Sequence, residues 1–158
     1  MCRPLTCFVE YEDQLYAVFR YVMERVRPDG SYVNPGTTVV DVDFPHKTVG
    51  FHVYKTKLSA LKMYYMERGS IDGLAMFIGR NHSFALSARD YPELKPDSIY
   101  YTEAKEFVGD DSVENYGGHD VGIFNYRDKT FSSCYYPCDV QSIKRIVPAP
   151  MWFTPSPF

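Results

Sequence analysis

No stretch of the sequence stays apolar for the roughly 20 residues that a membrane helix needs; runs such as Leu74 to Ile78 are far shorter. No stripe of Lys and Arg occurs either, and the formal net charge is -3. Binding to a nucleic-acid phosphate backbone, which depends on clustered cations, is therefore not expected. Cysteine is scarce, with four residues at positions 2, 7, 134 and 138 of 158. Small domains that rely on disulfides are denser in cysteine and carry a secretory leader. The opening MCRPLTCFVEYEDQL has no leader-like apolar core, so reduced thiols in the cytosol or nucleus are expected. Helical periodicity is almost missing as well, which counts against a bundle or a doubly wound fold.

What the chain does have is aromatic residues. They make up 16% of it, with 14 Tyr and 11 Phe inside a 45% hydrophobic total. Such residues fit a pleated, half-buried surface, and apolar and polar positions alternate along most of the sequence. Strands are predicted at Leu5 to Tyr11, Leu15 to Tyr21, Val49 to Lys57, Leu61 to Glu67, Leu74 to Ile78, Ser83 to Ser87, Ser98 to Thr102, Val121 to Tyr126 and Thr130 to Tyr136. Turns are predicted at Glu12-Asp13-Gln14, at Leu58 to Ala60 and around Arg127-Asp128-Lys129. Gly and Pro mark Arg25 to Asp43 as loop, and Glu103 to Gly118 reads as an acidic loop. Helix is limited to a turn or two near Ala88 to Leu94 and Val140 to Ile146. Regular short strands point to a sandwich, a barrel or propeller blades. Two stretches of similar design, Leu5 to Glu67 and Leu74 to Tyr136, favour blades.

Catalytic and metal chemistry find little support. Zinc sites need closely spaced Cys and His pairs, yet the cysteine pairs are separated by five and four residues and have no histidine nearby. The acidic loop lacks the alternating ligand pattern of a calcium site. His119-Asp120 has the residue types of an acid-base pair, and a hydrolase using them is the enzymatic alternative. No GxSxG string or activated cysteine accompanies them. Asn81-His82-Ser83 reads as a tight turn and Gly117-Gly118 as a strand entry with unusual dihedrals. In each of the pairs Tyr64-Tyr65, Tyr100-Tyr101 and Tyr135-Tyr136, one ring is expected on each sheet face: one in the core, the other free for a partner.

Several strings together carry a resemblance. They are TVGFHVYK at Thr48 to Lys55, AMFIGRNHSFALSARDYPELKPDSIYYT at Ala75 to Thr102, GGHDVGIFNYRD at Gly117 to Asp128, YPCD at Tyr136 to Asp139, and PAPMWFTPSP at Pro148 to Pro157. In this order they resemble the plant F-box-associated β-propeller of KIB type. The resemblance implies an all-β, antiparallel, kelch-like fragment of about two to three blades, forming a single partial domain over 1–158 with a closing tail from 137. Structural roles are implied for Asn81, His82, Ser83, Pro92, Lys95, Pro96, Gly117, Gly118, His119, Asp120, Pro137, Cys138, Asp139, Trp152 and Phe153. Longer members look like substrate-recruiting subunits of ubiquitin ligases, so the implied function is a non-enzymatic interaction module with no cofactor and no metal. No F-box-like helical segment precedes Leu5, and the segment Met63 to Gly73 lacks the tryptophan of the family pattern. The expected partner is a protein target, with ligase components engaged only where an F-box is supplied elsewhere, and neither nucleic acid nor membrane. A truncated fragment with no function of its own is the other alternative. Ring closure takes four or more blades, so the chain is expected to be the C-terminal part of a larger propeller, or a small open β-structure, or to self-associate, since two or three blades alone would expose strand edges and apolar blade faces. The tail is predicted to bury Trp152 and Phe153 against Val121 to Tyr126 or its neighbours, as a clasp; the competing reading is a free polyproline-type ligand.

Overall fold

The computed structural model describes residues 2–23, 46–57, 59, 62–104, 120–134 and 151–154. Among them are nine strands and no helix. The first sheet contains β1 (Cys2–Tyr11), β2 (Gln14–Met23), β3 (Lys47–Lys57) and β4 (Lys62–Tyr65), in that order and antiparallel throughout. This is the up-and-down meander of a propeller blade. The β1–β2 hairpin closes on Glu12-Asp13, with Glu12 at φ 51°, and Gln14 already pairs with Tyr11. The turn is thus shorter by one residue than the sequence suggests.

The second sheet runs in the order β6-β5-β7-β8-β9. It comprises β5 (Leu74–Ile78), β6 (Phe84–Ser87), β7 (Ser98–Tyr101), β8 (Gly122–Asn125) and β9 (Thr130–Ser132). One pairing departs from the antiparallel expectation: β5 and β7 are parallel, with Met76 opposite Ile99. The chain leaves β6 on one side of β5 and crosses through residues 88–97 to the other side, which a two-residue hairpin cannot do. That crossing is a series of turns, with Ser87 O accepting from both Asp90 N and Tyr91 N at 3.1 Å. It forms no helix over Ala88 to Leu94. The second suggested helical turn, Val140 to Ile146, lies outside the described residues, as do Tyr135 and Tyr136 at the end of the last predicted strand.

Alternation places the core. On the first sheet Val9, Tyr16, Val18, Phe51 and Val53 all point to one face, and they pack on Leu74, Met76, Ile78, Ile99, Tyr101 and Phe124 of the second. Phe51 is central, with its ring 5.5 Å from that of Tyr101 and 5.3 Å from that of Phe124. The other face of the second sheet carries Ala75, Phe77, Tyr100 and Ile123, with Phe84, Leu86, Leu94, Cys134 and Trp152 packed against them. The central strands of this sheet are therefore buried on both sides. For this reason β5 reads as a continuous apolar run and not as an alternation.

Polar groups fix the ends of the two sheets. Asp97, at φ 52°, accepts from the amides of Ile71 at 2.8 Å and Gly73 at 2.9 Å and from Arg127 Nη2 at 2.9 Å. Burial alone would raise its carboxyl pKa, but these donors outweigh burial and hold it below the usual carboxylate range. The Tyr126 hydroxyl accepts from Val53 N at 3.1 Å, just beyond the last β3–β4 pair, and so joins the sheets. Gly69 lies at φ 70°, where a Cβ would come within 2.8 Å of the Arg127 Cα. Only glycine combines that dihedral with such close backbone approach.

Candidate functional site

Both sheets contribute to a buried cluster of charged and polar side chains. Arg20 interrupts the apolar run of β2 on its inward face, and only 3% of its side chain is exposed. Its Nε donates to Thr48 Oγ1 at 2.8 Å, its Nη1 to the Thr102 carbonyl at 2.6 Å, and its Nη2 to Asp120 Oδ2 at 3.0 Å. Thr48 in turn donates its hydroxyl to Asp120 Oδ2 at 2.6 Å, and its amide approaches the two carboxylate oxygens at 3.1 and 3.0 Å. The Asp120 amide donates to Glu103 Oε1 at 2.9 Å, and His46 Nε2 lies 3.0 Å from Glu103 Oε2. The guanidinium also sits 5.0 Å from the Tyr101 ring centroid.

This arrangement works as a latch. Two carboxylates buried in one place would repel each other and cost solvation unless matched by cations and donors. Arg20 supplies the cation, and its planar fork reaches both sheets at once. Both Asp120 oxygens already accept hydrogen bonds, so the carboxylate is committed to joining β2 and β3 to the entry of β8. The cluster fastens one sheet to the other.

The remaining motif residues are dispersed. Asn81 Nδ2 donates to the Trp152 carbonyl at 2.5 Å, the His82 ring stacks at 6.2 Å on Phe84, and Ser83 lies beside Cys7. Burial pushes the Cys7 thiol up to about 11, against the opposing effects of the Ser83 hydroxyl and Arg20. Cys2 and Cys7 are an odd number of residues apart on β1 and so point to opposite faces. Pro92 and Pro96 lie in the turns between β6 and β7, where Lys95 N donates to the Tyr100 hydroxyl at 3.0 Å. Gly117, Gly118, His119, Pro137, Cys138 and Asp139 fall outside the described residues. No group of three or more His, Cys, Asp or Glu among the described residues is placed to hold a metal ion. No helix there is long and apolar enough to cross a membrane.

Two expectations need correcting. Trp152 does pack on the second sheet, 5.2 Å from Phe77 and 6.3 Å from Tyr100, but Phe153 is 82% exposed. Extended backbone alternates its side chains, so a single sheet face can take only one of two consecutive rings. The tyrosine pairs also fail to divide between core and solvent. Tyr100 and Tyr101 are both buried because β7 is central with both faces covered, whereas Tyr64 and Tyr65 are both exposed on the short edge strand β4. Sequence reasoning missed Arg20, His46, Thr48 and Glu103 altogether. The one available signal was a lone arginine at an inward position of an apolar strand.

The first sheet has a second, outward face. Across it runs the row Phe8, Ala17, Tyr54, Tyr65, flanked by Phe19, Tyr21, His52 and Met63. Ring contacts connect Phe19 to Tyr54 at 5.4 Å, Tyr54 to Tyr65 at 5.0 Å, His52 to Tyr65 at 5.5 Å and Tyr21 to His52 at 5.0 Å. Phe8 is 61% exposed and Met63 52%.

Comparison with known proteins agrees with this architecture. The KIB1-4 beta-propeller family matches residues 2–125. The chain is similar to F-box protein At4g35733 of Arabidopsis thaliana, 30% identical over 129 residues, covering 81% of this chain and 30% of that protein. It is also similar to F-box protein At2g17690 of Arabidopsis thaliana, 39% identical over 62 residues, covering 39% of this chain and 14% of that protein. No solved structure matches it significantly. The chain thus spans less than a third of the length of either relative. With a blade-like meander stacked on a second sheet and a family match over most of its length, the chain belongs to the KIB1-4 beta-propeller family, a domain found in F-box proteins.

Proposed function

We propose that the chain is a non-enzymatic protein-interaction module, corresponding to the target-binding propeller of a ubiquitin-ligase adaptor. The observation that carries this reading is the full engagement of the Asp120 carboxylate in the inter-sheet latch. The carboxylate that would orient His119 in the acid-base reading already has a structural task. Away from the outward face of the first sheet, Tyr64, Tyr91 and Phe131 also present large rings to solvent, and tyrosine is enriched at interface hot spots. The F-box relatives support a role in recruiting a protein; a setting in the cytosol or nucleus, without nucleic acid, membrane or cofactor, belongs to the same proposal. Ligase components would be engaged only through an F-box supplied with the module.

A transplantation experiment tests this. The propeller of an F-box relative is replaced by this chain, and ubiquitin conjugation is followed on proteins that bind the chain. Conjugation of a directly bound protein, lost when the F-box is deleted, is the expected result. A fusion that assembles with the ligase and binds a protein but never directs conjugation to it would refute the adaptor role. Hydrolase activity of the free chain, abolished by Asp120→Asn in a folded protein, would refute the non-enzymatic one.

A further inference from the structure

We propose that Thr154 is a phosphorylation site for a proline-directed Ser/Thr kinase, and that a phosphate there releases Trp152 from the second sheet. This goes beyond the interaction-module reading and does not rest on it, since it assigns a modification to the tail and a consequence for the fold.

The sequence supplies the recognition element. Thr154-Pro155 and Ser156-Pro157 are the only two places in the chain where proline follows Ser or Thr. A kinase whose peptide groove offers no acceptor just after the phosphorylated residue would bury an unmet N–H with most substrates. Proline has no N–H to leave unmet, so such a groove selects it. Pro155 also pushes the residue before it towards extended backbone, the form in which a peptide lies along a kinase groove. Ser156 repeats the pattern but falls outside the described residues.

The fold places Thr154 where a kinase can reach it. Its side chain is exposed. The tail meets the second sheet at the turn between β5 and β6. There the Trp152 carbonyl accepts from Asn81 Nδ2, and Trp152 Cδ1 lies 3.6 Å from the place a Cβ on Gly79 would take. In a ring of blades the neighbours cover the faces of each blade, and the turns at its strand ends stay at the surface. Thr154, two residues from the bond to Asn81, belongs to that surface.

The consequence follows from charge and water. Two residues span at most about 7 Å, so a phosphate on Thr154 and its hydration shell stand beside the seat of the indole. That seat is apolar, built on Phe77 and Tyr100 with Phe84 and Leu94. Phosphothreonine carries about −1.5 to −2 charges, which disrupts an apolar contact next to it. Arg80, in the same turn, is already engaged elsewhere. The clasp is also readily displaced, because the indole N–H is enclosed and meets no acceptor among the described residues. That unmet donor offsets part of the apolar contact.

In the transfer, Thr154 Oγ1 attacks the γ-phosphorus of ATP, and the bond to the β,γ-bridging oxygen breaks. ADP departs, and the hydroxyl proton passes to the catalytic carboxylate of the kinase.

The full chain is incubated with a mitogen-activated protein kinase and MgATP beside a reference substrate, and the site is assigned by fragment mass spectrometry. Phosphate on Thr154 is expected, absent in Thr154→Val and in Pro155→Ala. The phosphorylated chain should emit further to the red than the unmodified one while keeping its circular dichroism spectrum. Its melting temperature should fall as far as that of Trp152→Ala. Thr154→Glu should shift both readings in the same direction, and Thr154→Val should move neither. An unmodified Thr154 after the reference substrate is consumed, or phosphate on Ser156 alone, would overturn the site and leave target binding untouched. Phosphate on Thr154 with unchanged or bluer emission and an unchanged melting temperature would overturn the release.

Discussion

Arg20→Ala is expected to lower stability by about 3–5 kcal/mol, the usual cost of removing one member of a buried ion pair. For a chain of this length that corresponds to a melting temperature lower by about 10 °C. The loss exceeds that of the contacts themselves, because Asp120 and Glu103 stay behind with 6% and 1% of their side chains exposed. An uncompensated carboxylate in that position needs either a proton or water. Asp120→Asn should also be strongly destabilising, since it leaves the buried Arg20 guanidinium with only the neutral Thr48 hydroxyl and Thr102 carbonyl as partners. Combining Arg20→Met with Asp120→Asn should recover part of the Arg20→Ala deficit, as expected for residues in one network. Urea unfolding followed by circular dichroism supplies the values. A loss within about 0.5 kcal/mol for Arg20→Ala, typical of an exposed position, would mean that the latch does not join the sheets.

The second large effect lies in the tail, and it separates two adjacent rings. Trp152→Ala is expected to cost about 2 kcal/mol, below the 3–5 kcal/mol of a fully buried tryptophan because the indole is only partly enclosed. Phe153→Ala should change stability by no more than about 0.5 kcal/mol, as for other surface positions. The indole rests on Phe77 and Tyr100, and its carbonyl accepts from Asn81, so the contact fastens the tail to the outer face of the second sheet. Truncation after Val147 should accordingly reproduce the Trp152→Ala loss. Because Trp152 is the only tryptophan, its emission reports this contact directly. It should be blue-shifted when folded and move red as the chain unfolds. Free-indole emission in the folded protein, together with an unaffected melting temperature for Trp152→Ala, would return the tail to the role of a free peptide.

The strands were legible because each depends on local chemistry. Alternation in β1 to β3 and turn residues such as Glu12-Asp13 place the strands to within a few residues. The partition into a four-stranded and a five-stranded sheet followed from the same pattern, and the break after β4 coincides with Gly69 and Gly73. The parallel β5–β7 pair was not legible, since nothing local tells a strand which side of its neighbour it will join. The latch was hidden for the same reason: Arg20 meets Thr102 and Asp120 across sequence separations of 82 and 100 residues. The tyrosine pairs were misjudged because alternation tells which face a ring takes but not whether that face is covered. Of the motif residues, Asp120 and Trp152 sit at contacts that join parts of the fold, but the family strings alone could not name their partners.

The proposed function, binding a protein without transforming it, is tested most plainly by direct binding. Tagged chain is used to capture candidates, each is purified, and the pair is titrated by calorimetry, with the target's mass checked before and after. The account predicts at least one target that binds the purified chain saturably, at fixed stoichiometry, and is recovered chemically unchanged. Capture that never survives purification to two components, or a bound protein whose covalent structure the chain alters without any other enzyme present, would contradict it.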